Sequence, residues 1–188
     1  QALKKLKSEG HRVVPDPEIL ELIQDKGLQK EFYRKNGIPT SIFSLYDSAE
    51  SIVKAIENGA IQFPFVQKLR KGGYDGRGVA VISSATDLPK LLPGASVVED
   101  KVEISKEISV IAARNGKGEV KCYPVVEMVF DNTANLVDKL LCPSSITVEQ
   151  SEKAISFASE IVELLNMEGL LAVEFFINAQ GDVVVNEM

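Results

Sequence analysis

A glycine-rich, positively charged stretch between two apolar runs constrains the fold of this chain most strongly. Residues 68–78 contain four glycines and four lysine or arginine side chains, and the flanking residues 63–66 and 79–82 are apolar. Two short apolar runs around such a tip predict a β-hairpin. Glycines let backbone N–H groups approach an anion closely, and the cations supply charge. The pattern therefore predicts an anion-binding hairpin, with a solvated, flexible surface loop as the alternative.

The spacing of these glycines excludes two common phosphate-binding motifs. The stretch lacks both the GxxxxGK[S/T] spacing of a P-loop and the GxGxxG spacing of a Rossmann site. Its glycines and charges offer little to pack, so we expect residues 71–78 to be mobile without a ligand.

Composition limits the classes of partner. The chain has 188 residues and a formal net charge of −6, which argues against a polyanion such as DNA. No apolar stretch approaches the length of a bilayer span. Cys122 and Cys142 lack CxxC spacing and are interpreted as reduced thiols of a cytoplasmic protein, with a structural disulfide as the alternative. His11 is the single histidine, which argues against histidine-based catalysis.

Helix and strand signals intermingle along the chain. Helices are expected at residues 2–6, 17–23, 25–35 and 48–58, a helix or turn at 85–92, and the longest helix from Thr147, where Gln150 completes a capping box. Strands are expected at 12–15, 39–45, 97–100, 104–113, 119–130 with a break at Pro124, 170–177 and 182–187. The many hairpins favour an α+β fold over a doubly wound parallel sheet. Because the chain starts inside an apparent helix and stops directly after a strand, we expect a fragment.

Two glutamates in the last hairpin carry the sharpest chemical prediction. Glu174 is the single charged residue in the apolar run 170–177, where an unpartnered carboxylate would be costly. A turn of two or four residues would place Glu187 opposite Ala172, diagonal to Glu174 and on the same face. Converging carboxylates repel unless a cation lies between them, and Mg²⁺ suits such a pair together with phosphate oxygens. An odd turn would put them on opposite faces, and the alternative is a pair of surface glutamates.

Strand alternation leads to predictions for four further polar residues. Glu107 alternates with apolar residues and faces away from the core, so it is either a surface residue or a contact for a ribose hydroxyl. Lys68 and Arg70 share a face of their strand, so both could lean over one ligand. Strict alternation turns Asn186 away from Glu187.

Several motifs in this order resemble the ATP-grasp superfamily and, within it, the family of 5-(carboxyamino)imidazole ribonucleotide synthases (PurK). The loop GGYDGRG at residues 72–78 is the most specific match, whereas the two late glutamates are shared across the superfamily. Other similar segments run over nearly the whole chain: QDK and QK within 24–30, GIPT at 37–40, VVEDKV at 97–102, EISV at 107–110, YPVVE at 123–127, AVE at 172–174 and VNEM at 185–188.

The resemblance implies an ATP-grasp fold of two α+β lobes with ATP between them. Residues 1–24 would be the end of an N-terminal preATP-grasp domain and a linker, and residues 25–188 the ATP-grasp domain, with a small lobe at about 40–95. Most of the N-terminal domain and a C-terminal segment of the family would be missing. Phe130 stands near a position where the family often has histidine.

The resemblance also implies a role for each matching residue. Tyr74 and Arg77 would be catalytic and point towards the substrate to be carboxylated, and Glu174 and Glu187 would hold Mg²⁺, or Mn²⁺ in its place. The positions implied to bind nucleotide are Lys26, Lys68, Gly73, Tyr74, Asp75, Gly76, Arg77, Gly78, Val79, Glu99, Asp100, Lys101, Val102, Glu107, Asn186 and Glu187.

The implied reaction is the carboxylation of aminoimidazole ribonucleotide by bicarbonate and ATP, through carboxyphosphate, in purine biosynthesis. The implied enzyme is an ATP-dependent carbon–nitrogen ligase, cytoplasmic and homodimeric, that binds neither nucleic acid nor a membrane. The alternatives are a formate-using purine transformylase or a biotin carboxylase, against which Tyr74 and Asp75 argue, a non-catalytic nucleotide-sensing module, and a structural or protein-binding domain.

Overall fold

The computed structural model describes residues 2–73, 78–131 and 136–188, and places an α+β fold on them. The helices are α1 Ala2–Ser8, α2 Pro17–Ile23, α3 Lys26–Asn36, α4 Ala49–Glu57 and α5 Val148–Leu164, with a 3₁₀ helix at Ala85–Lys90. The strands are β1 Phe43–Tyr46, β2 Phe65–Leu69, β3 Val79–Ile82, β4 Ser96–Asp100, β5 Ile104–Arg114, β6 Val120–Cys122, β7 Val126–Asp131, β8 Leu136–Leu141, β9 Gly169–Asn178 and β10 Val183–Glu187.

The helix ends confirm the capping signals in the sequence. The Thr147 hydroxyl accepts a hydrogen bond from the Gln150 amide, and the Gln150 side chain accepts one from the Thr147 amide, so the predicted capping box opens α5. Ser48 and Ser51 form the same reciprocal pair at the start of α4. These contacts satisfy backbone donors that a helix leaves unpaired in its first turn, which explains why short polar side chains mark the boundaries.

One strand prediction is wrong, a second starts too early, and one strand was missed. Residues 12–15 form no strand, and the strand expected at 39–45 is confined to Phe43–Tyr46. The missed strand is β8, an edge strand whose six residues are all exposed and therefore lack the alternation of apolar and polar residues that marks a half-buried strand. Among the described residues, no helix is long and apolar enough to cross a membrane. Both cysteines, Cys122 and Cys142, are free thiols, as predicted.

The chain forms two compact units, one comprising Gln1–Ile23, Ile104–Phe130 and Val137–Met188, and the other comprising Gln24–Glu103 and Asp131–Leu136. The second unit contains an antiparallel sheet in the order β1-β4-β2-β3. One face of this sheet is packed by α4 and the 3₁₀ helix around a buried apolar cluster that includes Ile52, Phe65, Ile82 and Val98. The predicted hairpin is confirmed as β2 and β3, with Lys68 paired to Val79.

The first unit contains the larger sheet, in the order β10-β9-β5-β7-β8 with β6 paired to β5. Helix α5 covers one face with Ala154, Ala158 and Ile161, all completely buried. The strand residues buried on this face include Ile108, Val110, Val173, Phe175, Ile177, Val183 and Val185. Each large apolar side chain buried in this way stabilises the fold by about 1.5–3 kcal/mol. The alternate residues of β5, β9 and β10 therefore lie on the opposite face of the sheet.

An ion pair in the first unit ties β5 and β7 to the segment before α5. Lys106 Nζ donates to Glu127 Oε1 at 2.6 Å, and the Ser145 amide and hydroxyl donate to Glu127 Oε2 at 3.0 and 2.7 Å. The hydrogen bond from Lys106, followed by those from Ser145, lowers the pKa of Glu127 to about 2. Ionised Glu127 therefore favours the folded state at neutral pH.

We expect Glu127→Gln to destabilise the protein by about 1–3 kcal/mol at pH 7, because an amide replaces a hydrogen-bonded charge. Folding lowers the pKa of Glu127, so the difference in free energy of unfolding between variant and wild type is fully present above the ordinary carboxyl range. This difference disappears as pH falls towards about 2. Urea unfolding of both proteins between pH 7 and pH 2.5 measures it. A difference that stays constant over this range would contradict the prediction.

Candidate functional site

The base of the glycine-rich hairpin is closed where the structure describes it. The Leu69 amide donates to the Gly78 carbonyl at 2.8 Å. Gly78 has φ +80°, and a Cβ there would lie 2.9 Å from the Gly73 Cα, so a larger residue would be both strained and in collision with backbone. Tyr74, Asp75, Gly76 and Arg77 lie outside the described residues, so their roles stay predictions.

Arg70 is engaged by Asp25, the N-cap residue of α3. Arg70 Nε and Nη2 donate to the two Asp25 carboxylate oxygens at 2.8 and 2.9 Å, and Asp25 also accepts from the Gly27 and Leu28 amides. Burial alone would raise the pKa of Asp25, but the hydrogen bonds from Arg70 and the two amides outweigh burial and hold the pKa below its usual range. The idea that Arg70 leans over a ligand beside Lys68 is therefore corrected, because Arg70 joins the hairpin to α3 instead.

We expect Gly27→Ala to destabilise the protein by about 1–2 kcal/mol. Helix propensity alone would favour alanine by about 1 kcal/mol. A Cβ at Gly27, however, would lie 2.5 Å from Arg70 Nε, so the guanidinium must leave its two-bond pairing with Asp25. Thermal unfolding measures the effect. Gly116→Ala is the matched control, because its Cβ would meet the flexible end of Glu168 at 3.2 Å, and an equal loss in both variants would contradict the explanation.

A buried ionic cluster lies between α3 and the four-stranded sheet. Glu99 on β4 is 3% exposed, with Lys30 Nζ 3.3 Å from Oε2 and Lys68 Nζ 3.1 Å from Oε1. Lys30 is 2% exposed and donates to the Thr40 and Ser41 hydroxyls at 2.6 and 2.9 Å. Ser41 in turn donates to Glu99 Oε2. Lys30, Lys68 and Glu99 together therefore carry one excess positive charge.

The pKa values of this cluster follow from burial and from its own charges. Desolvation, opposed by Glu99 and reinforced by Lys68, lowers the pKa of Lys30 to about 8. Desolvation would raise the pKa of Glu99, but Lys68 and Lys30 outweigh it and keep the pKa below its ordinary value. Sequence reasoning missed Lys30. The available signal was its helical spacing to the apolar face at Tyr33, which marks Lys30 as facing inwards.

The other residues expected to bind nucleotide from the second unit lie around this cluster. Lys26 begins α3, and its amide donates a hydrogen bond to the Arg70 carbonyl at 2.9 Å. The charge of the Lys26 side chain contributes to the low pKa of Lys30. Val79 is 38% exposed on β3. Asp100 ends β4, and Lys101 and Val102 follow it in irregular backbone. The side chain of Glu99 is turned into the ionic cluster, and its backbone pairs with β1 on one side and β2 on the other.

The last hairpin confirms that Glu174 and Glu187 converge, although the predicted register is wrong. Ile177 pairs with Val183 rather than with Asp182, so five residues, an odd number, separate these two paired positions. In a regular ladder Glu187 would then point to the other face. A β-bulge between Val185 and Glu187 inserts Asn186 as an extra residue and places Glu187 directly opposite Glu174.

The face opposite α5 carries these carboxylates in a row. Ser109 on β5 pairs with Glu174, which pairs with Glu187, and Glu107 lies two residues along β5 from Ser109 on the same face. Within residues 2–73, 78–131 and 136–188, no group of three or more His, Cys, Asp or Glu side chains is placed to hold a metal. Two carboxylates nevertheless fit Mg²⁺ bound to a nucleotide, because that ion commonly takes one or two carboxylates and completes its shell with phosphate oxygens and water.

Comparison with known proteins places this geometry in a family. The ATP-grasp domain model matches residues 31–188. The N5-carboxyaminoimidazole ribonucleotide synthase of Synechocystis sp. is 33% identical over 180 residues, which are 94% of this chain and 44% of that protein. The corresponding Thermotoga maritima synthetase structure is 42% identical, with a TM-score of 0.83, over 98% of this chain and 46% of that one. The Staphylococcus aureus synthetase with ADP is 27% identical, with a TM-score of 0.84, over 97% and 48%.

These relatives are about twice as long as the part they share with this chain. The family model nevertheless covers both sheets, with Lys68 and Glu99 of the ionic cluster and the paired glutamates of the last hairpin. The chain belongs to the ATP-grasp family.

Proposed function

We propose that this chain is the nucleotide-binding part of an enzyme that carboxylates aminoimidazole ribonucleotide with bicarbonate and ATP. The direct pairing of Glu174 with Glu187 carries the Mg²⁺–nucleotide part of the proposal, because an apolar strand pair keeps two facing carboxylates only at a cost. The acceptor is inferred from relatives named N5-carboxyaminoimidazole ribonucleotide synthase, which match more than nine-tenths of the chain. The Staphylococcus aureus structure with ADP supports the nucleotide.

Each candidate residue has a role in this proposal. Lys68 binds phosphate oxygens, and Lys26 is a basic contact to the nucleotide. Glu107 accepts hydrogen bonds from the ribose hydroxyls, and the backbone of 99–102 contacts the adenine. Bound Mg²⁺, held by Glu174 and Glu187, would neutralise charge on the phosphate oxygens, and Mn²⁺ could replace it. In this proposal the glycine-rich loop, with Gly73, Gly78 and Val79 at its ends, would cover the triphosphate. Tyr74 and Arg77 would contact the acceptor, and Asn186 would lie beside the phosphates.

The chemistry asks for charge neutralisation and exclusion of water. A bicarbonate oxygen attacks the γ-phosphorus, ADP leaves, and the acceptor amine attacks the carboxyphosphate carbon with release of phosphate. Phosphoryl transfer depends mainly on positioning and on neutralising charge, which lysines and a metal supply. A single histidine, His11, is therefore compatible with the reaction. Cytoplasmic location, a homodimer and the boundary at residues 24 and 25 also belong to the proposal.

The test uses the full-length protein that contains this chain. We expect ADP release that requires both bicarbonate and aminoimidazole ribonucleotide, with label from ¹⁴C-bicarbonate recovered in the product. Formate-dependent or biotin-dependent turnover would instead assign another ATP-grasp ligase. Nucleotide binding without turnover on any acceptor would assign a non-catalytic nucleotide module.

A further inference from the structure

We propose that Lys30 is a positioning residue that acts through Glu99 to present Lys68 to the nucleotide phosphates. The inference deepens the proposed function and rests on it, because it assumes that Lys68 meets phosphate. Lys30 itself is 2% exposed, so it is too deeply buried to contact a ligand directly. Its effect must therefore pass through a neighbour.

The contacts of Lys30 show which neighbour this is. An ammonium has three donors, and those of Lys30 are directed to Thr40 Oγ1, Ser41 Oγ and Glu99 Oε2. Ser41 accepts from Lys30 and donates to the same Glu99 oxygen, so it forms a second path between the two charges. Both paths fix one carboxylate oxygen of Glu99. The other oxygen, Oε1, is the one that Lys68 approaches at 3.1 Å.

The position of Lys68 therefore depends on a carboxylate that Lys30 holds in place. The Glu99 carboxylate is shared by Lys30 and Lys68, so each lysine competes with the other for its negative charge. If Lys30 loses its charge, the full charge of Glu99 acts on Lys68, and the net charge of the cluster of Lys30, Lys68 and Glu99 falls from +1 to zero. An anion near Lys68 then meets less positive charge, and Lys68 is drawn more strongly towards Glu99.

This arrangement makes nucleotide affinity depend on pH. The charged groups that influence Lys30 are Glu99 on β4, Lys68 on β2 and Lys26 on its own helix, and with burial they lower the pKa of Lys30 to about 8. As pH rises through this value, Lys30 becomes neutral and affinity for ATP should fall. The contribution of Lys30 to stability runs in the opposite direction. Because its pKa is higher in the unfolded chain, that contribution rises between about pH 8 and the ordinary lysine value of 10.5.

The experiment compares wild-type full-length protein with Lys30→Met, which keeps the length of the side chain and removes its charge. At pH 7.5 we expect the KM for ATP to rise about tenfold, as for the loss of one nearby charge, with a smaller change in kcat. In wild type, kcat/KM for ATP should fall above pH 8 towards the value of the variant. In Lys30→Met this fall in kcat/KM above pH 8, the basic limb of the pH profile, should be absent.

Ile52→Val is the control for stability, because Ile52 is a buried core residue on the α4 side of the same sheet and touches none of these charges. It should lower the melting temperature without moving the KM or the pH profile. An unchanged KM and an unchanged limb in Lys30→Met would overturn the inference while leaving ATP binding intact. If Lys30→Met does not fold, a wild-type profile without a limb between pH 7.5 and 9.5 overturns it. Absence of ATP binding in wild type would refute the proposed function instead.

Discussion

Glu187→Gln is expected to reduce ATP turnover by at least about 10²-fold, on the scale of losing one preorganised electrostatic contact to the reacting phosphates. Glu187 lies directly opposite Glu174 at the bulge. In the proposed function both carboxylates must be ionised to hold Mg²⁺ between them. The amide keeps the shape of the side chain and removes the charge. Calorimetric titration with a non-hydrolysable ATP analogue, with and without Mg²⁺, should show Mg²⁺-dependent binding in wild type and much weaker binding in the variant.

The same substitution at Glu160, an exposed residue on α5, is the control and should leave binding unchanged. The melting temperature without nucleotide should change little in Glu187→Gln. The substitution removes the stabilising contacts of the Glu187 charge, but it also removes the repulsion between two directly opposed carboxylates. Wild-type affinity for the analogue in Glu187→Gln would refute the metal role of the pair. A collapse of the melting temperature would show a structural role instead.

Glu99→Gln is expected to have the largest effect on stability, a loss of about 3 kcal/mol. Removing this carboxylate charge leaves Lys30, which is 2% exposed, and the mostly buried Lys68 without a counter-charge. For a chain of this size such a loss lowers the melting temperature by roughly 6–12 °C. Thermal unfolding at pH 7 measures it directly.

Glu31→Gln provides the matched control, because Glu31 pairs with Arg34 on the exposed side of α3. Exposed pairs contribute at most about 1 kcal/mol, so this variant should unfold within a few degrees of wild type. Raising the pH should narrow the gap between Glu99→Gln and wild type, since neutral Lys30 no longer requires a counter-charge. If Glu31→Gln and Glu99→Gln lowered the melting temperature equally, burial would not explain how much the Glu99 cluster contributes to stability.

The features that sequence reasoning predicted correctly are those set by neighbours along the chain. The capping box predicted at Thr147 joins residues three apart, and the glycines within residues 68–78 themselves predict the hairpin. The apolar face of α5 repeats with helical spacing, so its burial was also predictable. In each case the physical cause lies within a few residues of the effect.

The features that it missed depend on partners far along the chain. Lys30 and Glu99 are separated by more than sixty residues, and nothing near either residue shows that they meet. Residues 12–15 form an apolar run that finds no strand to pair with, so β-propensity alone gave a wrong strand. The register of the last hairpin was also wrong, because the length of its loop was not visible in the residues themselves.

The bulge at Asn186 has a consequence for sequence comparison among members of the family. An odd number of residues separates the paired Ile177 and Val183, and this alone would put Glu187 on the face opposite Glu174. The extra residue Asn186 shifts Glu187 by one position and returns it to the face of Glu174. A relative whose loop is one residue shorter or longer needs no bulge to keep the pair. We therefore expect a single-residue gap in this loop to be accompanied by a single-residue gap at Asn186, and an alignment that places only one of the two gaps would match Glu187 to the wrong residue.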